Sequence, residues 1–83
     1  MKLRYFAWVR ERVGKAEEDI EAPAGVRTVG ELVAWLATRG PEYEAAFAEP
    51  RAIRVALDKC HAPHSAPLRG AREVALFPPM TGG

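Results

Sequence analysis

The strongest local instruction in this chain lies at residues 28–36. Thr28-Val29-Gly30-Glu31 has the Thr-x-x-Glu spacing of a capping box, in which hydroxyl and carboxylate each satisfy a backbone amide left free at a helix start. Val29, Leu32, Val33 and Leu36 follow at i, i+3, i+4 and i+7, which puts one apolar stripe on a helix of about three turns. Trp35 and Ala37 flank the stripe. It contains no polar group that could orient a ligand, so this helix belongs to the core. Gly40-Pro41 is expected to stop it, Gly40 just past the cap and Pro41 unable to continue.

Strand patterns lie on both sides of that helix. Residues 2–9 alternate, with Leu3, Tyr5, Ala7 and Val9 on one face and Lys2, Arg4, Phe6 and Trp8 on the other. The second face turns aromatic toward its end, which predicts a central strand buried on both sides. Arg10–Lys15 are expected to turn the chain, with Gly14 free to take a positive φ. Residues 16–21 read as an edge strand whose acids are solvated and discourage edge-to-edge pairing. Glu17 and Glu18 are neighbours on a strand and so point to opposite faces, a poor arrangement for metal binding or acid–base work.

After Pro41, residues 42–48 predict a short helical turn packing Tyr43 or Phe47. Residues 52–57 alternate as a strand with Ile53, Val55 and Leu57 inward, and 58–67 read as a loop holding Cys60, His61 and His64. Leu68 is an apolar anchor, Arg69-Gly70 a turn, and Glu73–Phe77 the last strand. The order is hairpin, helix, then two or three strands. This resembles the β-grasp arrangement, with first and last strands parallel in the centre. The expectation is an α+β, ubiquitin-like β-grasp: a mixed sheet of four or five strands with one main helix on one face. Residues 1–77 would form that domain and 78–83 an extended Gly-Gly tail.

Composition narrows the function classes. The 83 residues carry a net charge of +1, which favours neither nucleic acid nor an anionic membrane as partner. One cysteine excludes an internal disulfide and suits a reducing compartment. The apolar run at residues 5–9 is too short for a signal peptide, and no stretch approaches a membrane span. A cytoplasmic protein is expected. Cys60-His61-x-x-His64 is half of a zinc pattern at most, because adjacent Cys and His rarely converge on one ion, so no metal is expected.

The ending Phe77-Pro78-Pro79-Met80-Thr81-Gly82-Gly83 carries the most chemistry. Pro78 and Pro79 have no amide hydrogen, so they end the strand ladder and stiffen the base of the tail. Phe77 and Met80 are expected as exposed apolar groups that mark a partner surface. Gly82 and Gly83 make the tip thin enough for a narrow channel. A bare carboxylate at Gly83 is a poor electrophile until another protein adenylates it. A sulfur nucleophile would then give a thiocarboxylate, and an amine an amide.

Two stretches resemble the small, sulfur-carrying subunit of molybdopterin synthase. They are Phe6-Ala7-x-Val9-Arg10-Glu11-x-Val13-Gly14 and Pro67-Leu68-x-Gly70-x-x-Glu73-Val74-Ala75-x-Phe77-Pro78-Pro79-x-x-Gly82-Gly83. The resemblance implies that Gly83 carries first AMP and then sulfur, for donation to the pterin precursor of the molybdenum cofactor. It implies that Thr81 and Gly82 thread the partner's active site, with Phe77, Pro78, Pro79 and Met80 forming part of the docking surface. The implied partners are the large synthase subunit, an E1-like adenylating enzyme that supplies ATP, and a sulfur donor protein. No cofactor would be held stably, and the chain would not be catalytic alone.

Three other readings remain. The chain could be a carrier for thiazole or tRNA thiolation, although thiazole carriers usually lack the double proline. It could also be a ubiquitin-like modifier joined to lysines, or an adaptor that binds through its sheet.

Overall fold

The computed structural model describes residues 1–79. The elements in order are β1 (Lys2–Tyr5), α1 (Ala7–Val13), β2 (Glu17–Asp19), α2 (Val29–Leu36), α3 (Pro41–Ala46), a 3-10 turn (Pro50–Ala52), β3 (Arg54–Leu57), β4 (Cys60–Ala62) and β5 (Glu73–Phe77). The strands form one mixed sheet in the order β2-β1-β5-β3-β4. β1 and β5 lie parallel at its centre, and the β1–β2, β3–β5 and β3–β4 pairs are antiparallel. This is the β-grasp expected from the element order. No helix among these residues is long and apolar enough to cross a membrane.

Helix α2 forms for the reasons its sequence states. Thr28 Oγ1 accepts from the Glu31 amide at 3.2 Å, and the Glu31 carboxylate accepts from the Thr28 and Arg27 amides at 3.0 and 2.8 Å. Those amides favour the charged form and hold the exposed Glu31 carboxyl below its ordinary pKa. Val29, Leu32, Val33 and Leu36 are fully buried. The helix is eight residues long, nearer two turns than three. Gly40 does not cap its end. Ala37 does, and Gly40 instead precedes α3, where Pro41 takes a first-turn position that needs no amide hydrogen. Both Tyr43 and Phe47 pack into the core from this segment.

The first strand is shorter than the alternation predicted. β1 stops at Tyr5, and Ala7 takes a left-handed φ of 51° that redirects the chain into α1. Val9 and Val13, one turn apart, are the buried face of that helix, and Gly14 closes it at φ 87°. Residues 10–15 are therefore mostly helix rather than turn. Buried Leu3 and Tyr5 alternate with exposed Lys2 and Arg4, so β1 is covered on one face only. All three helices contribute to a single core with Leu3, Tyr5, Val55, Val74 and Leu76, which leaves the other face of the sheet open.

The stretch expected as a loop after residue 57 contains β4. Asp58 and Lys59, at φ 47° and 71°, make a two-residue turn of the type that suits the twist of a hairpin. Leu68 is buried, and Gly70 turns the chain at φ 72° into β5. The acidic edge strand also departs from expectation at Glu18. Its carboxylate is drawn in by Tyr5, Tyr43, Arg39 and Lys15 rather than left to solvent.

Candidate functional site at the end of the last strand

β5 carries Val74 and Leu76 into the core and shows Ala75 and Phe77 to the open face. The ladder partners make rows across that face. Arg4, Ala75, Ala56 and His61 share one row, and Phe77 lies beside Arg54 in the next. The two alanines keep the middle shallow, and the aromatic groups stand around it. His61 meets Phe77 edge to face, with ring centroids 5.5 Å apart. Phe6 stays next to the end of β5, its amide donating to the Leu76 carbonyl at 3.1 Å. The Arg4 guanidinium lies 5.6 Å from the Phe6 ring centre and 3.8 Å from the Glu73 carboxylate.

Phe77 is half-buried, as are Pro78 and Pro79, so the root of the tail is packed rather than projecting. Among the described residues the large apolar side chain that is exposed is Phe6, at 41%. Phe6 and His61 therefore join Phe77, Pro78 and Pro79 as rim residues that sequence reasoning missed. The outward phase of Phe6 in the alternation of residues 2–9 was a usable signal. His61 had none, because β4 was not recognised as a strand. Met80, Thr81, Gly82 and Gly83, the other expected site residues, lie outside the described residues.

The start of β5 is fixed as firmly as its end. Asp58 Oδ1 accepts from the Arg72 amide at 2.9 Å and the Glu73 amide at 3.0 Å, which ties the β3–β4 turn to the first residues of β5. The strand is held on both sides by β1 and β3 and clamped at its head. Its direction, and hence the direction of Pro78, is set by the sheet. Among the described residues no group of three His, Cys, Asp or Glu side chains gathers to hold a metal. Cys60 is exposed at the sheet edge, and its neighbour His61 is turned to Phe77. What this arrangement offers is a firmly held, partly aromatic surface at the point where the chain leaves the sheet.

The fold recurs in solved structures. SAMP1 from Haloferax volcanii is 27% identical, with 100% of this chain and 98% of that chain covered, at a TM-score of 0.73. A molybdopterin converting factor subunit 1 from Pyrococcus furiosus is 24% identical over 95% of both chains, at 0.65. H. volcanii small archaeal modifier protein 1, in a further structure, is 23% identical over 96% and 97%, also at 0.65. The last two likenesses bear on the fold alone. The model of the ThiS family, whose members are ubiquitin-like sulfur carriers, matches residues 3–83, tail included, and the chain belongs to that family.

Proposed function

We propose that this protein is the sulfur-carrying subunit of a molybdopterin synthase. The observation that supports it most is the placement of β5. A central strand, held by neighbours on both sides and clamped by Asp58, delivers Pro78 and Pro79 to the aromatic rim of the open face. A family match running through residue 83 joins that placement to the Gly-Gly ending.

In this reading residues 1–77 are the body and 78–83 the tail. The Gly83 carboxylate attacks the α-phosphorus of ATP in the site of an E1-like enzyme and releases pyrophosphate. Sulfide-level sulfur supplied by a donor protein then attacks the acyl carbon, AMP leaves, and a thiocarboxylate remains. Thr81 and Gly82 thread the active site of the large subunit, and Phe77, Pro78, Pro79 and Met80 dock outside it. There the sulfur passes to the pterin precursor. Nothing in the scheme requires a cofactor held by this chain, and its free thiol suits a cytoplasmic setting.

The test is mass spectrometry of the protein co-expressed with its activating enzyme. The expected product shows an oxygen-to-sulfur exchange confined to the C-terminal peptide. An unmodified carboxylate in the presence of ATP and a sulfur donor would sink the reading. A second reading, a modifier joined through Gly83 to lysines, is favoured by the likeness to SAMP1. Branched Gly-Gly peptides in a cell digest would distinguish it.

A further inference from the structure

Beside the root of the tail, the outer edge of the sheet carries a feature that the Gly83 chemistry does not use. Among the described residues β4 is the outermost strand on this side of the sheet. Its hairpin pairs Leu57 with Cys60 across the two-residue turn, which makes that the hydrogen-bonded pair. His61, opposite Ala56, is then in a non-hydrogen-bonded pair, and its N–H and C=O face outward. Among the described residues no other backbone group takes them up.

Beside this edge runs an open groove of about 430 Å³ lined by Arg54, His61, Pro63 and Phe77, and it continues past Pro63 to Arg51 and His64. The groove is cationic in an unusual way for this surface. Lys2 and Arg4, basic side chains on the same face, are paired with Glu17 at 3.2 Å and Glu73 at 3.8 Å. Among the described residues, neither Arg51 nor Arg54 has a carboxylate within 4 Å. Both are exposed.

We propose that the β4 edge and this groove bind an extended acidic segment of a partner protein, added as a sixth strand beside His61. The free N–H and C=O of His61 supply two main-chain hydrogen bonds and fix the register. The arginines supply the charge preference for the acids that alternate onto the open face, and the stems of those acids lie against the ring of Phe77. The apolar residues between them turn to the opposite face. With only one residue offering its backbone, the charges decide which strand is accepted. The Gly82-Gly83 tip is not needed for this contact, which shares Phe77 and His61 with the rim around Pro78.

The test titrates isotope-labelled full-length protein with acetyl-Glu-Val-Glu-Val-Glu-amide, and separately with the peptide in which lysine replaces each glutamate. The glutamate peptide is expected to shift the amides of His61 and Ala62 and slow exchange of the His61 amide. The lysine peptide should bind roughly tenfold more weakly or worse, and R51E/R54E should cost the glutamate peptide at least about tenfold. Removing Gly82 and Gly83 should leave both results unchanged. Both side chains are exposed, and an unaltered melting curve for R51E/R54E excludes misfolding as the cause of lost binding. Equal binding of the two peptides would overturn the proposal. So would shifts centred on β2, or concentration-dependent shifts at His61 without peptide, which would mean that a second copy covers this edge.

Discussion

The Tyr43 hydroxyl donates to Glu18 Oε2 at 2.7 Å, which joins helix α3 to an edge strand 25 residues earlier in the chain. Tyr5 donates to the same oxygen at 2.7 Å, and Arg39 reaches it at 3.1 Å, while Lys15 lies 3.5 Å from the other. Arg39 also sits 4.7 Å from the Tyr43 ring centre and 5.3 Å from that of Trp35. One carboxylate thus gathers β1, β2, α3 and the segment after α2. Burial works against its charge, but the hydroxyls of Tyr43 and Tyr5 and the charges of Arg39 and Lys15 outweigh it and hold the Glu18 carboxyl below its ordinary value. Burial, followed by the hydrogen bond to Glu18 and its negative charge, pushes the Tyr5 hydroxyl the other way, well above a normal phenol.

Removing that carboxylate leaves the Tyr5 and Tyr43 hydroxyls without their shared acceptor. Glu18→Ala is expected to lower unfolding stability by about 1–3 kcal/mol in urea titrations near neutral pH, and Tyr43→Phe by about 1 kcal/mol. The pH dependence comes from a depressed folded-state value. Glu18 contributes its full stabilisation above the unfolded carboxylate range, and that contribution fades as the pH falls toward and through the lower folded value. Midpoints measured from neutral pH down into the acid should converge for the wild type and Glu18→Gln. Parallel curves would show that the ionised carboxylate is not the source.

Asp58 acts at the other end of the sheet. Its two bonds to the Arg72 and Glu73 amides hold the head of β5, and its own left-handed φ of 47° suits Asp or Asn better than a residue with no local acceptor. Asp58→Ala should cost about 1–2 kcal/mol, while Asp58→Asn, which keeps an acceptor oxygen, should cost under about 1 kcal/mol. Hydrogen exchange should quicken at Arg72 and Glu73 in the alanine variant before it quickens at Val74.

The elements legible in the sequence are those whose determinants are local. The capping box and stripe of α2 lie within nine positions, and β5 shows its alternation outright. α1 was hidden because Tyr5, Ala7 and Val9 also fit a strand. What ends β1 is a positive φ at Ala7, and alanine gives no notice of it. The spacing of Val9 and Val13 before Gly14 was the helical signal, outweighed by the alternation. β4 is three residues long and follows a turn with none of the usual glycine, so neither pattern nor punctuation marks it. The Glu18 cluster depends on Tyr5 and Tyr43 meeting across the fold, which local spacing does not predict. On the candidate site, Phe77, Pro78 and Pro79 were readable from the ending and Phe6 from its outward phase, whereas Arg54 and His61 join them only through the register of the sheet.

Ala7 itself gives a stability prediction of unusual sign. It is exposed and carries a left-handed backbone that costs an L-residue with a Cβ about 1–2 kcal/mol. Ala7→Gly removes that cost and gives back part of it as greater freedom of the unfolded chain. A net gain of about 0.5 kcal/mol is expected. Ala7→Val, β-branched at the same φ, should lose about 1–3 kcal/mol. Thermal melts of the pair should bracket the wild type, and a glycine variant below it would place the strain elsewhere.

Phe6 separates docking from folding. At 41% exposure its ring contributes little to the core, so Phe6→Ala should change unfolding stability by no more than about 0.5 kcal/mol. Phe77 is half-buried and touches His61, so Phe77→Ala combines a stability cost of about 1 kcal/mol with any loss of docking. If the rim around Pro78 is where the large synthase subunit seats, Phe6→Ala alone should weaken that complex by more than about 1 kcal/mol, roughly a fivefold rise in Kd. Calorimetric titration of the wild type and Phe6→Ala against the large subunit checks this directly. An unchanged Kd would take Phe6 out of the interface and move docking toward the β4 edge. There, substitution of Arg54 rather than Phe6 would carry the loss.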